Sequence, residues 1–213
     1  MSEGTIRQGL LIIISSPSGA GKSTLCEHLM REEGERLWMS VSTTTRPRRM
    51  SEVDGQDYHF VSREKFERMV ENGEFLEHAE VFGHFYGTPR EPVEERLRAG
   101  IDVLFDIDWQ GAKQIAERMR EARVVSIFIL PPSLAALEER LRRRAQDSEE
   151  TVRYRMSRAR EEIAHWEEYD YVLVNDDLDR CFRKLQAIVT AERVRAARDG
   201  PVRALAKQLL GDD

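Results

Sequence analysis

The sequence predicts an α/β domain in which a parallel sheet is flanked by helices and carries a small, mostly β insertion and a helical lid. Three observations predict it. An unbroken apolar run at 10–14 and a mostly apolar one at 124–130 read as buried strands, the habit of parallel sheets. Segments with helical apolar spacing alternate with those runs. The alternation breaks between about 42 and 89, and again over 140–160, where charge dominates.

Taken in order, residues 10–14 open the chain as a strand, and a Gly-rich turn follows. A helix is expected over 23–33, with Leu25, Cys26, Leu29 and Met30 on one face. Residues 103–107 and 124–130 are further strands, with a helix over 109–120 between them. Pro131, Pro132 and Ser133 stop the second of these and cap a helix over 134–144. A strand over 171–174 precedes an amphipathic helix marked by Leu178, Cys181, Phe182, Leu185, Ile188 and Val189. In the insertion, polar loops flank residues 58–61, a helix is expected over 64–72, and strands near 75–82. The whole chain, 1–213, therefore reads as one domain. Its core is about 8–41, 90–139 and 161–195, its insertion about 42–89 and its lid about 140–160.

Composition excludes several classes. With 40% hydrophobic and 34% charged residues, the chain is globular and not disordered. No apolar stretch approaches the roughly 20 residues that span a bilayer. The polar residues 1–8, with Glu3, lack a signal-peptide layout, so a cytoplasmic protein without a membrane partner is expected. Cys26 and Cys181 read as small buried apolar residues, not a disulfide. Five histidines without zinc spacing predict no structural metal. A net charge of −6 argues against a nucleic-acid surface. Of 33 basic residues, only Lys22, Lys65, Lys113, Lys184 and Lys207 are lysine. Arginine suits bidentate phosphate binding, but biased genomic composition explains the excess as well, so position must decide.

Ser16, Pro17, Ser18, Gly19, Ala20, Gly21, Lys22 and Ser23 follow the first strand and open a helix, the setting in which a Walker A loop is credible. Glycines let the backbone wrap an anion, and the helix N-terminus adds partial positive charge. Lys22 can reach β- and γ-phosphates, and Ser23 can offer a hydroxyl to Mg²⁺. Ser16 stands where the motif usually has its first glycine. The strand at 103–107 ends in two acids, Asp106 and Asp108. Placed two apart, they share a strand face and look into the crevice at the sheet's carboxyl edge. One could hold Mg²⁺ through water and the other contact a substrate. The D-x-x-G spacing from Asp108 to Gly111 also fits GTP-hydrolysing switches, but no guanine-reading N-K-x-D motif accompanies it.

Ser40–Arg49 (SVSTTTRPRR), 52–61 (EVDGQDYHFV), 73–77 (GEFLE), 86–88 (YGT), 106–111 (DIDWQG) and 174–177 (VNDD) together resemble the guanylate kinase signature, in order, over about 10–189. The resemblance implies a P-loop NTPase fold. It implies transfer of the γ-phosphate of Mg·ATP to GMP, and to dGMP, within purine nucleotide metabolism. Arg46, Arg49, Tyr58 and Tyr86 match residues holding the GMP phosphate. Ser42, Glu77, Thr88 and Asp106 match those around guanine. Lys22, Ser23 and Asp108 match the phosphate and Mg²⁺ site, Arg140, Arg144 and Arg155 match lid arginines that close over ATP, and Asn175 matches a position near adenine. The chemistry agrees: guanidiniums and phenols donate to phosphate, carboxylates accept from guanine N1–H and N2–H, and a hydroxyl can serve O6. For the lid arginines the alternative is pairing with Glu138, Glu139, Glu149, Glu150, Glu161 and Glu162 at the surface. Two other functions stay open: a guanylate-kinase-like binding module without activity, and a related kinase with another phosphate acceptor.

Overall fold

The computed structural model describes residues 8–81, 83–119, 122, 124–143, 149–195 and 200–211. In chain order the first half comprises β1 (Leu11–Ser15), α1 (Lys22–Glu33), β2 (Leu37–Met39), β3 (Thr43–Thr44), β4 (His59–Phe60), α2 (Arg63–Glu71), β5 (Phe75–Val81), β6 (His84–Pro89) and α3 (Arg90–Arg98). The second half comprises β7 (Asp102–Asp106), α4 (Trp109–Arg118), β8 (Val124–Leu130), α5 (Leu134–Arg143), α6 (Glu149–Ile163), β9 (Tyr171–Val174), α7 (Leu178–Arg193) and α8 (Gly200–Leu210). Five elements have no counterpart in the sequence-based expectation: β2, β3, β6, α3 and α8. Among the described residues no helix is long and apolar enough to cross a membrane.

The large sheet runs β2-β7-β1-β8-β9, with every pairing parallel. β1 is central and fully buried, which explains its unbroken apolar sequence. Ile12 and Ile14 point into one core with Leu25, Leu29, Cys181 and Leu185 of α1 and α7. Leu11 and Ile13 point into the other, with Val93, Leu97 and Ile115 of α3 and α4. Cys26 and Cys181 are buried free thiols, as expected of small apolar residues.

The chain leaves β1 toward β2 and β7 on one side, and reaches β8 and β9 on the other. The carboxyl end of β1 is therefore a topological switch point, where open α/β sheets bind ligands. A second sheet, β4-β3-β6-β5, lies between Thr43 and Pro89. It has its own aromatic core: Phe66 of α2 stacks on Phe75 and Phe85 at 4.6 and 5.5 Å. α5 and α6 share a third cluster, Leu137, Leu141, Val152 and Ala159. The expected lid edge at residue 140 thus falls inside one continuous helix, because Leu137 and Leu141 lie on a single buried stripe. Arg144 lies outside the described residues.

One buried ion cluster ties the far edge together. Arg193, at the end of α7, donates through Nε to Asp102 Oδ2 at 2.8 Å and pairs through Nη1 with Glu33 Oε2 at 2.7 Å. Asp102 also accepts the Leu10 N–H at 2.7 Å. Removing the shared cation takes Arg193 from two buried carboxylates and leaves Glu33 with the exposed Arg36 at 3.3 Å. Arg193→Ala is expected to lose about 3–5 kcal/mol in chemical denaturation; a loss below about 1 kcal/mol would show that the cluster does not hold α7 to the sheet.

Candidate active site

The loop after β1 is shaped by its glycines and by what lies behind it. The Ser15 hydroxyl donates to the Ile107 carbonyl at 2.8 Å, tying together the ends of β1 and β7. Gly19 and Gly21 sit at φ 94° and 96°, where L side chains are strained. At Gly21 a Cβ would also stand 2.3 Å from Asn175 Nδ2. That amide donates to the Ala20 carbonyl at 2.7 Å. Arg140 adds Nη1 to the same oxygen at 3.4 Å, and donates through Nη2 to the Asn175 carbonyl at 3.1 Å. Ala20 in turn donates its N–H to Pro17 at 3.1 Å. α1 then begins at Lys22 with no side-chain cap and no acid in its first turn. Its N–H groups and partial positive charge are left for an anion. Ser23 is exposed at this end.

Asn175, expected near adenine, is only 4% exposed, and its amide is committed to the loop carbonyl, so it braces the back of the phosphate loop. The two acids differ from expectation. β7 ends at Asp106, and Asp108 is the N-cap of α4, accepting the Gly111 N–H at 3.0 Å. They do not share a strand face, because a capping carboxylate satisfies the next helix. Asp106 forms an ion pair with Lys22. Burial works against the Lys22 ammonium, yet Asp106 outweighs it and holds its pKa above the usual 10.5.

Between the two sheets lies a cleft of about 340 Å³, lined by Ser42, Arg49, Tyr58, Glu77, Ala79, Val81, Tyr86, Asp106, Ile107 and Asp108. Glu77 is 4% exposed, and burial pushes its carboxyl up to about 7. The Thr88 hydroxyl donates to Glu77 Oε1 at 2.6 Å. Thr88 is itself wholly buried, so it sits behind Glu77 and not at the cleft wall as expected; its one proton is already used. Ser42 is the hydroxyl at the wall. Gly111 allows α4 to approach, since a Cβ there would lie 3.1 Å from Glu77 Oε2.

Tyr58 and Tyr86 meet edge-on, with ring centroids 5.8 Å apart. Arg46 lies over the Tyr58 ring and forks onto Glu52 through two hydrogen bonds, at 2.6 and 3.1 Å. It is therefore already paired, whereas Arg49 extends into solvent beside the same acid.

Two further cavities continue the cleft. One, of about 480 Å³, is lined by Ser18, Asp108, Arg155, Arg158 and Glu162, among others. The other, of about 520 Å³, includes Arg46, Arg49, Tyr86, Thr151, Tyr154 and Arg155. Asp108 lines both the first and the 340 Å³ cleft, and Arg155 lines both of the others. Within the charged stretch Arg142, Arg143 and Arg158 form surface pairs with Glu138, Glu139, Glu149 and Glu161. Arg140, one of the arginines for which surface pairing is the alternative, donates instead to the Ala20 and Asn175 carbonyls. Sequence reasoning missed Glu52 and Glu162. Glu162 accepts the Ser18 N–H beside Lys22 and Asp108, and burial raises its pKa. Its position among other glutamates on α6 gave no signal.

The guanylate kinase family model matches residues 8–192. A guanylate kinase of Agrobacterium fabrum is 55% identical over 97% of this chain and 93% of its own length. One from Paramagnetospirillum magneticum is 56% identical over 97% and 96%. The crystal structure of guanylate kinase from Anaplasma phagocytophilum superposes with a TM-score of 0.77 at 42% identity, covering 94% of this chain and 95% of that one.

Glu77 gives a pH-dependent stability. Its folded pKa, about 7, lies above the ordinary 4.5, so the unfolded chain loses this proton first as pH rises. Stability therefore falls from about pH 4.5 and the full penalty is present above about pH 7. Wild type compared with Glu77→Gln in urea is expected to lose on the order of 3 kcal/mol more between pH 5 and pH 8. Parallel profiles would mean that Glu77 is ionised throughout.

Proposed function

The chain belongs to the guanylate kinase family, and from that premise we propose how its residues transfer the γ-phosphoryl group of ATP to GMP, giving ADP and GDP. The observation that carries the assignment of roles is the shared wall. A phosphate loop and a buried carboxylate, Glu77, face one continuous cleft that Asp108 lines on both sides.

Guanine presents N1–H and N2–H donors, which the Glu77 carboxylate accepts. Asp106 offers a second acceptor once Lys22 turns from it to phosphate. Ser42 faces O6. The acceptor phosphate meets the Tyr58 and Tyr86 hydroxyls and Arg49, with Arg46 fixed alongside by Glu52. ATP phosphates lie on the N-terminus of α1, with Lys22 at the transferring group. That phosphate of GMP is the nucleophile and is already anionic, so no general base is required. Alignment and charge neutralisation carry the step. Arg155 reaches both flanking cavities and serves the transferring group, with Arg140 bracing the loop. Arg144 is proposed to join them on closure. A closed lid keeps water from the γ-phosphate.

Ser23 and Asp108 fit Mg²⁺. Their donors are hard oxygens, which suits an ion that would complete its shell with phosphates and water. When bound, it supplies positive charge to the donor phosphates. We place the reaction in the cytoplasm, where both nucleotides are at hand.

A coupled ADP-release assay tests the assignment. GMP is expected to exceed AMP in kcat/KM by roughly 10⁴-fold, because adenine leaves Glu77 facing a lone pair at N1. Similar values for the two acceptors would contradict the guanine pocket. Lys22→Ala is expected to lose at least about 10²-fold in kcat with its fold intact, as for other groups stabilising transition-state charge.

A further inference from the structure

β5 carries Glu77 and is one of the two outer strands of the small sheet. An outer strand leaves half its backbone groups unpaired. Here α4 meets that edge with side chains. Gln114 donates through Nε2 to the His78 carbonyl at 2.9 Å and accepts the His78 N–H through Oε1 at 3.3 Å. One amide thus takes both backbone groups of one residue, as a neighbouring strand would. One turn later, Arg118 donates through Nη1 to the Leu76 carbonyl at 2.9 Å and to that of Phe75 at 3.4 Å.

The backbone is therefore gripped on both sides of Glu77. The grip falls where β6 holds β5 least regularly, since the β5–β6 register shifts between Phe75 and Glu77. α4 is also the helix capped by Asp108, which lines the same cleft. A single ten-residue helix then fixes the distance between the acceptor-side carboxylate and the donor-side carboxylate.

We propose that Gln114 and Arg118 are positioning residues that set acceptor specificity by holding Glu77 in register with the guanine edge. The inference rests on the GMP-kinase reading above. Neither residue touches the cleft, so their effect must pass through Glu77. Loss of the grip lets the β5 edge shift at the bulge. It changes acceptor binding and leaves the phosphate loop as it was.

Steady-state kinetics of wild type, Gln114→Leu, Arg118→Met and Arg118→Lys, each with its melting temperature, test this. Gln114→Leu and Arg118→Met are expected to raise KM for GMP about tenfold or more, with KM for ATP and kcat within about threefold. Arg118→Lys keeps a donor for the Leu76 carbonyl and is expected to recover most of the GMP affinity. If both disruptive variants keep KM for GMP within about twofold, even with a lower melting temperature, the residues only cover an edge and the inference falls. An equal loss for ATP and GMP overturns it as well. Should Gln114→Leu not fold, the Arg118 pair decides the matter alone. A wild-type enzyme that does not phosphorylate GMP overturns the function reading, and the inference with it. An active wild type with unaffected variants overturns the inference only.

Discussion

The carbonyl oxygen of Ala20 is turned toward the protein and held there by Asn175 and Arg140. A trans peptide with its carbonyl inward presents its own N–H, that of Gly21, outward. That orientation is what an anion-binding loop needs. Gly21 follows with a left-handed backbone and no Cβ, since a side chain there would collide with the Asn175 amide. α1 begins directly afterwards, uncapped, so its positive end meets the same space. The two supports come from distant parts of the chain. Asn175 follows β9, whose partner β8 also receives the Asn175 N–H at Leu130. Arg140 belongs to α5. Loop, sheet edge and lid-side helix are thus tied to one oxygen atom.

The acceptor side carries the opposite electrostatic burden. Glu77 is buried against Gly111 and Thr88, and its carboxyl is raised to about 7 by that burial. A ligand with two N–H donors relieves that cost, because hydrogen bonds to the charged form favour it. Asp106 needs no such relief while Lys22 is its partner. The two carboxylates therefore prepare the cleft differently, one short of donors and the other sharing a cation with the phosphate site. Exchange of Lys22 from Asp106 to phosphate would couple the two halves without any long-range motion.

The large sheet was legible because its strands are buried on both faces. Residues 124–130 and 171–174 read as strands with the bounds they have in the structure, and residues 10–14 overlap β1 by all but one residue. β2 was not legible. Its three residues, Leu37, Trp38 and Met39, are too few to show a period, and pairing with β7 makes them a strand. α3 is polar except for Val93 and Leu97, so its helical stripe is two residues wide. The loop motif marks where the chain turns from β1 into α1, but not what braces that turn. Nothing local marks Asn175 as a partner of Ala20, 155 positions away. Asp108 misled for a related reason: a strand pattern says nothing about where the next helix begins. Arg46 carries no sign of its fork onto Glu52, because that pairing depends on the turn between them. Long-range pairing of polar groups is the information that spacing and periodicity do not contain.

The bracing of the phosphate loop makes one claim that a binding measurement separates from its alternative. Asn175→Ala can be titrated calorimetrically with ATP and with inorganic tripolyphosphate, which has no adenine. If Asn175 acts by holding the Ala20 carbonyl, both ligands lose affinity by the same factor, about tenfold for one lost buried hydrogen bond. If tripolyphosphate binds the variant as it binds wild type while ATP weakens, Asn175 serves the base and the account of the loop is wrong.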